Sequence, residues 1–203
     1  MPKNDEAFSL RKNFAYMARV FYKPKSVIDA FLGGIPSLYS IVPLAIFTIL
    51  FEISYILDYL YHPSSFSFHL LGDILGISTA QYDLIQVFIF PIVHILDFFV
   101  FGGLIYALSK SAKPFKIETQ RTVLFFMFIW NTIGLLGFVT ESLGIWFGLD
   151  FILYLTQPAY LIAWILYLAV FISQQVEITK WKSAGISITS VVMFLAFRML
   201  FLG

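Results

Sequence analysis

Cysteine does not occur in this 203-residue chain, so disulfides, thiolate metal sites and cysteine nucleophiles are excluded. Charge is also scarce: Asp, Glu, Lys and Arg make up 12% of the residues, against roughly 25% in soluble domains. There is no Gly-x-Ser-x-Gly elbow, no Walker loop and no dinucleotide fingerprint. Gly33-Gly34 and Gly102-Gly103 lack the spacing and the following Lys that a phosphate cradle requires. The net charge of +1 lacks the basic surplus by which proteins hold nucleic-acid phosphates. These absences predict a non-enzymatic chain with no cofactor and no nucleic-acid partner.

What the chain has instead is apolar surface. Hydrophobic residues make up 60% of it, more than a water-soluble fold of this size can hide. Crossing about 30 Å of hydrocarbon takes roughly 20 helical residues, and five apolar runs are long enough. They cover Pro36 to Tyr61, Tyr82 to Leu108, Thr122 to Thr140, Phe151 to Gln174 and Ala184 to Leu202. The first follows a charged stretch and shows no small-residue cleavage pattern, so it reads as a retained anchor rather than a signal. Basic residues mark cytoplasmic loops. The N-terminal segment holds Lys3, Arg11, Lys12, Arg19, Lys23 and Lys25; the second connection holds Lys110, Lys113, Lys116 and Arg121; the last holds Lys180 and Lys182. The connections between these have none. Only Arg198 breaks the alternation, and the expectation for it is a long stem snorkelling to the outer headgroups.

The predicted fold class is therefore an all-α integral membrane protein. It has about five transmembrane helices and an N-terminal amphipathic interfacial helix, with the N-terminus cytoplasmic and the C-terminus outside. Residues 1–35 form the interfacial segment and 36–203 a single bundle. Such a chain resides in the cell membrane of a prokaryote or an endomembrane of a eukaryote. Its partners are the lipid bilayer and other membrane proteins or further copies of itself.

Between Phe8 and Lys23, a step of about 100° per residue puts Leu10, Phe14, Met17, Ala18 and Phe21 on one face and Lys12, Tyr16, Arg19 and Lys23 on the other. Lys12, Arg19 and Lys23 are the candidate lipid-surface contacts. The plainer alternative is a helix packed on the cytoplasmic ends of the bundle. Pro24 ends this helix, and a second is expected from Ser26, with Asp29 in capping-box position, to a stop at Gly33-Gly34. Leu70, Leu71, Ile74 and Leu75 suggest a short outer interfacial helix within His62 to Gln81.

Few side chains inside the spans are costly to bury: Glu52, His94, Asp97, Asn131 and, near an end, Glu141. On the second span Gln86, Asp97, Asp83 and His94 fall within about 80° of one another, so that stripe should face inward. Pro91, one turn before His94, removes a donor and frees the carbonyl of Val87. Glu52 shares a face with Thr48, Tyr55 and Tyr59 and is placed to reach His94 from a neighbouring helix. Three readings stay open for this intramembrane cluster of Glu52, His94, Asp97, Gln86 and Asn131. It is a structural contact between spans, a proton or ion pathway, or a metal site with Glu52, His94 and Asp97 as donors. The structural reading leads, and under it Asp97→Asn should be harmless. Gly134, on the face of Asn131, reads as a close helix crossing, and the stripe Tyr160, Trp164, Tyr167 and Phe171 as packing or lipid contact.

Three stretches carry a resemblance. Ala18 to Pro36, ARVFYKPKSVIDAFLGGIP, resembles the opening of the Yip family, membrane proteins named for interacting with Ypt/Rab GTPases. FFVFGGLIYALSKSAKPFKIETQRTVLF is similar to that family's apolar helix and basic loop, and QQVEITKWKSAGISITSVV to its polar turn before the last helix. The resemblance runs from Ala18 to the C-terminus and implies five spans, a cytoplasmic N-terminus and a role in organising membranes or partner proteins, as in trafficking or membrane assembly. The short N-terminal segment has no acidic-aromatic motif, and the third span, FMFIWNTIGLLGFVTE, lacks a Gly-Tyr element. Rab binding is therefore not implied, and no family binding residue maps onto a position here. The competing function is a small transporter or an ion- or proton-conducting subunit using Glu52, His94 and Asp97.

Overall fold

The computed structural model describes residues 8–61, 76, 78–111, 118–147, 151–176 and 178–202. Among them the protein is all helix, with no strand. The helices are α1 (Leu10–Tyr22), α2 (Pro24–Leu32), α3 (Leu38–Tyr61), α4 (Thr79–Ser111), α5 (Thr119–Trp146), α6 (Phe151–Val176) and α7 (Lys180–Leu202). Four of them, α4 to α7, are long and apolar enough to cross a membrane, while the apolar stretch of α3 runs over Leu38–Ser54.

Local chemistry sets the helix ends. Pro24 disfavours helical geometry in the residue before it, so α1 stops at Tyr22, and Lys23 turns the chain at φ −141°, ψ 56°. α2 starts at Pro24, two residues before the expected Ser26. Proline fits a first helical position, and the Ser26 hydroxyl donates back to the Lys23 carbonyl instead of capping forward. The Asp29 carboxylate pairs with Lys25 at 2.8 Å, and no side chain caps the start of the helix. The stop at Gly33-Gly34 does form: Gly34 sits at φ 84°, where a side chain would be strained, and Arg121 of α5 donates to the last carbonyl of α2, Leu32 O, at 2.9 Å. α4 starts earlier than the apolar run suggests. Ser78 and Gln81 form a reciprocal capping box, the Ser78 amide donating to Gln81 Oε1 at 3.0 Å and the Gln81 amide to Ser78 Oγ at 3.4 Å. Most of the expected outer interfacial helix lies outside the described residues.

α5 is central. It packs against α3, α4 and α6, and α7 closes the bundle between α4 and α6. Aromatic rings fill the seams: Phe101 stacks on Phe126 at 4.0 Å, Phe125 on Phe171 at 4.1 Å and Trp130 on Trp164 at 3.8 Å. The stripe on α6 is thus mainly packing, with Tyr160 against Gly137 and Phe171 against Phe125. Gly134 marks a close approach, since a Cβ there would stand 3.0 Å from the Phe47 ring of α3. The outward faces are apolar too: Phe88, Phe99 and Leu155 are 70%, 72% and 68% exposed. Such a surface is stable only in an apolar solvent or against other apolar surface.

α1 and α2 do not float free of the bundle. Val20, Val27, Ile28 and Phe31 are buried against α5 and α6, with the Phe31 ring 5.4 Å from Phe125 and 5.1 Å from Phe128. Asn13 donates to Tyr39 O of α3 at 2.8 Å, and the Tyr167 hydroxyl of α6 donates to Val20 O. These anchors lie at the start of α3, the start of α5 and the second half of α6, which places α1 and α2 at one end of the bundle.

Candidate functional site

Three titratable side chains meet where α4 faces α7. His94 and Asp97, three residues apart on α4, are both completely buried. Arg198 reaches them from α7, with Nη1 2.8 Å from His94 Nδ1 and 2.9 Å from Asp97 Oδ2. A guanidinium can only donate, so His94 Nδ1 must accept, which makes the imidazole the Nε2–H tautomer. That N–H donates to Asn131 Oδ1 on α5 at 3.0 Å, and Asn131 Nδ2 donates to Met127 O at 2.7 Å. Arg198 therefore fixes the direction of every hydrogen bond in the chain from α7 through α4 to α5.

Aromatic rings enclose this network. Phe90, one turn before His94, stacks on the imidazole at 5.4 Å with the planes 11° apart, and Phe98, one turn after it, meets the ring edge-on at 5.6 Å. The guanidinium carbon lies 5.6 Å from the Phe90 ring centre and 5.8 Å from that of Trp130. A cation over two ring faces gains electrostatic attraction that does not depend on water. The arrangement can hold a charge pair in an apolar interior and clamp three helices together. Asp97 binds through Oδ2 alone, and its Oδ1 is buried without a hydrogen-bond partner among the described residues.

The structure unites three of the five residues nominated from the sequence: His94, Asp97 and Asn131. Glu52 does not join them. Both imidazole nitrogens are occupied by other partners, and Glu52 Oε2 is buried with no hydrogen-bond partner. Gln86 lies on α4, but its side chain, like those of Asp83 and Glu141, is outside the described residues. Among the described residues no three His, Cys, Asp or Glu side chains converge as metal ligands, so the donor set of Glu52, His94 and Asp97 is not assembled. Arg198 overturns its expectation. It turns inward, its side chain 15% exposed, because a fully buried carboxylate offers it more than the lipid headgroups do.

The expected lipid-surface residues lie on α1, which has three faces. Asn13 and Val20 form its buried seam. Leu10, Phe14 and Phe21, from the expected apolar face, are more than half exposed at 56%, 53% and 53%. Lys12 and Arg19 lie on the third face, with the Arg19 guanidinium 5.3 Å from the Tyr16 ring centre, and Lys23 follows in the turn after the helix. The packing expected as the plainer alternative is present through the Asn13 and Val20 seam, and Leu10, Phe14 and Phe21 are left exposed on the side of α1 away from Lys12 and Arg19. The chain matches no family model, no curated protein and no solved structure.

Proposed function

We propose that this protein is a non-enzymatic, five-span membrane protein that organises membrane or partner proteins, with α1 and α2 forming a platform at the cytoplasmic interface. One observation carries the reading: Leu10, Phe14 and Phe21 are left exposed on the side of α1 opposite Lys12 and Arg19, with Lys23 just after the helix, and the helix is held to the bundle by Asn13 and by the Val20 carbonyl. A helix with that pattern lies in the headgroup region, its apolar side toward the acyl chains and its cations toward anionic lipid. The alternation of basic and non-basic connections supports five spans with the N-terminus inside. The likeness of Ala18 to Pro36 to Yip-family openings supports the organising role. Under this reading the Arg198 network is an internal clamp that keeps the platform's support rigid.

The cysteine-free chain makes the test clean. An environment-sensitive fluorophore on Phe14→Cys of the full-length protein should shift to the blue in anionic proteoliposomes. Replacing Lys12, Arg19 and Lys23 with Gln should reverse the shift at low salt, because each cation contributes about 1 kcal/mol near an anionic surface. High salt should mimic the triple variant. A fluorophore reporting water in both anionic and neutral vesicles would sink the platform reading.

A further inference from the structure

Between α2 and α6 runs a groove of about 430 Å³. Pro24, Lys25 and Ile28 of α2 line it on one side, and Leu166, Val170 and Gln174 of α6 on the other. Tyr167 lines it too, but its hydroxyl is engaged with Val20 O, so the polar side chains on offer are Lys25 and Gln174. Ile28 is buried, while Leu166 and Val170 stay 58% and 42% exposed. A chain lying between two walls makes more contacts than one lying on a convex helix face, so this apolar surface holds an occupant more firmly than the outward faces of the spans do.

Length, polarity and charge say what the occupant is. Leu166, Val170 and Gln174 stand four residues apart on α6, so they form one stripe about 12 Å long at 1.5 Å per residue. That is close to the depth of one leaflet, about half of 30 Å of hydrocarbon, and a partner's spanning helix would run well past it. The stripe turns polar toward the helix end, since Gln174 lies two residues before Val176. Tail and then head is the order of a lipid. Lys25 is the charged member of the lining; it is 80% exposed and holds Asp29 at 2.8 Å, which uses one of its three N–H donors. From Arg19 to Asp29 the chain carries three cations and one carboxylate, a surplus that favours an anionic headgroup over a zwitterionic one.

We propose that this groove is a binding site for one anionic phospholipid, with an acyl chain along Leu166 and Val170 and the phosphate at Lys25. The inference deepens the platform reading and rests on it for the placement of α2 in the headgroup region. The test uses the full chain, one copy per phosphatidylcholine nanodisc, and phosphatidylglycerol carrying a diazirine on its acyl chain. The comparator is phosphatidylcholine with the same diazirine. The phosphatidylglycerol probe should label the peptides that hold Lys25 to Ile28 and Leu166 to Gln174 saturably, and unlabelled phosphatidylglycerol should displace it. The phosphatidylcholine probe should label outward faces, such as those of Phe88 and Phe99, in proportion to its amount. Lys25→Gln should raise the half-saturation roughly fivefold, since a cation near an anionic surface contributes about 1 kcal/mol and 1.4 kcal/mol is tenfold. Asp29→Asn should lower it, because Lys25 then has no rival carboxylate. Both changes break the same exposed ion pair, so a purely structural role would move them in the same direction. Val170→Trp fills the groove at unchanged charge and should abolish the saturable component; if that variant does not fold, the Lys25 and Asp29 variants decide. Equal labelling by the two probes, equal displacement by unlabelled phosphatidylcholine, or shifts of one sign in Lys25→Gln and Asp29→Asn would each overturn the proposal. Labelling lost in discs that hold two copies would also overturn it and assign the groove to a second copy. The Phe14→Cys fluorophore separates this from the platform: a retained blue shift beside diffuse labelling overturns the groove and spares the platform, and a lost blue shift beside saturable labelling does the converse.

Discussion

Asp97→Asn should destabilise the protein by about 3–5 kcal/mol, and adding Arg198→Gln should recover most of that loss. The sequence alone argues the reverse, since an unpaired carboxylate in hydrocarbon is costly and an amide would relieve it. The structure changes the sign because Asp97 is not unpaired: its Oδ2 receives Arg198 Nη1 at 2.9 Å in a fully buried site. The amide keeps an acceptor oxygen but leaves the guanidinium without a countercharge, and breaking one side of a buried pair costs far more than removing both. Two amides facing each other restore neutrality and a hydrogen bond. Unfolding titrations of the four proteins in mixed micelles complete the cycle, and the coupling between the two sites should exceed 1 kcal/mol. Equal stability of Asp97→Asn and wild type would show that the pair does not clamp α4 to α7. Loss of a pH-driven flux in proteoliposomes at unchanged stability would favour a conducting subunit over an organising one.

Much of the architecture could be read from the sequence because one physical constraint dominates it. An apolar helix must be about 20 residues long to span hydrocarbon, and α4 to α7 meet that requirement where the apolar runs place them. Helix ends were less legible, since they depend on single residues: the Ser78–Gln81 box extends α4 upstream, and Pro24 starts α2 early. His94, Asp97 and Asn131 stood out as residues too costly to face lipid, but their partners did not. Charge placement assigned Arg198 to the outer headgroups. A helical-face argument would have turned it inward: Ser187 and Arg198 are eleven residues apart, which at 100° per residue returns to within about 20° of the same direction. Ser187, Ser190, Val191 and Phe194, all buried, mark that face as the inner one. No periodicity argument reveals that α7 lies beside α4, because helix adjacency depends on packing between segments far apart in sequence. Glu52 fails for a different reason: α3 does lie beside α4, with the Phe47 ring 5.3 Å from that of His94, but both imidazole nitrogens are taken by Arg198 and Asn131.

Phe31→Ala should release α1 and α2 from the bundle while leaving the bundle's own unfolding unchanged. The Phe31 ring is 2% exposed and packs against Phe125 and Phe128, and truncating a ring so buried costs about 3–5 kcal/mol. The loss falls on a local unit. The remaining ties of α1 and α2 are the smaller buried side chains Val20, Val27 and Ile28 and a few hydrogen bonds, Asn13 to Tyr39 O, Tyr167 to Val20 O and Arg121 to Leu32 O, each bond contributing on the order of 1 kcal/mol. The cores of α4 to α7, built on Phe101, Phe126, Trp130 and Phe194, do not include Phe31. Amide exchange across α1 and α2 should therefore rise roughly a hundredfold or more, since each 1.4 kcal/mol is a factor of ten in the opening equilibrium. Trypsin should begin to cut after Arg19 and Lys25, whereas α5 and α6 keep their protection. If the variant instead lowers the melting temperature of the whole protein and exposes α5 equally, α1 and α2 belong to one cooperative unit with the spans. The platform would then be a structural part of the bundle and not a separable surface for membrane or partner.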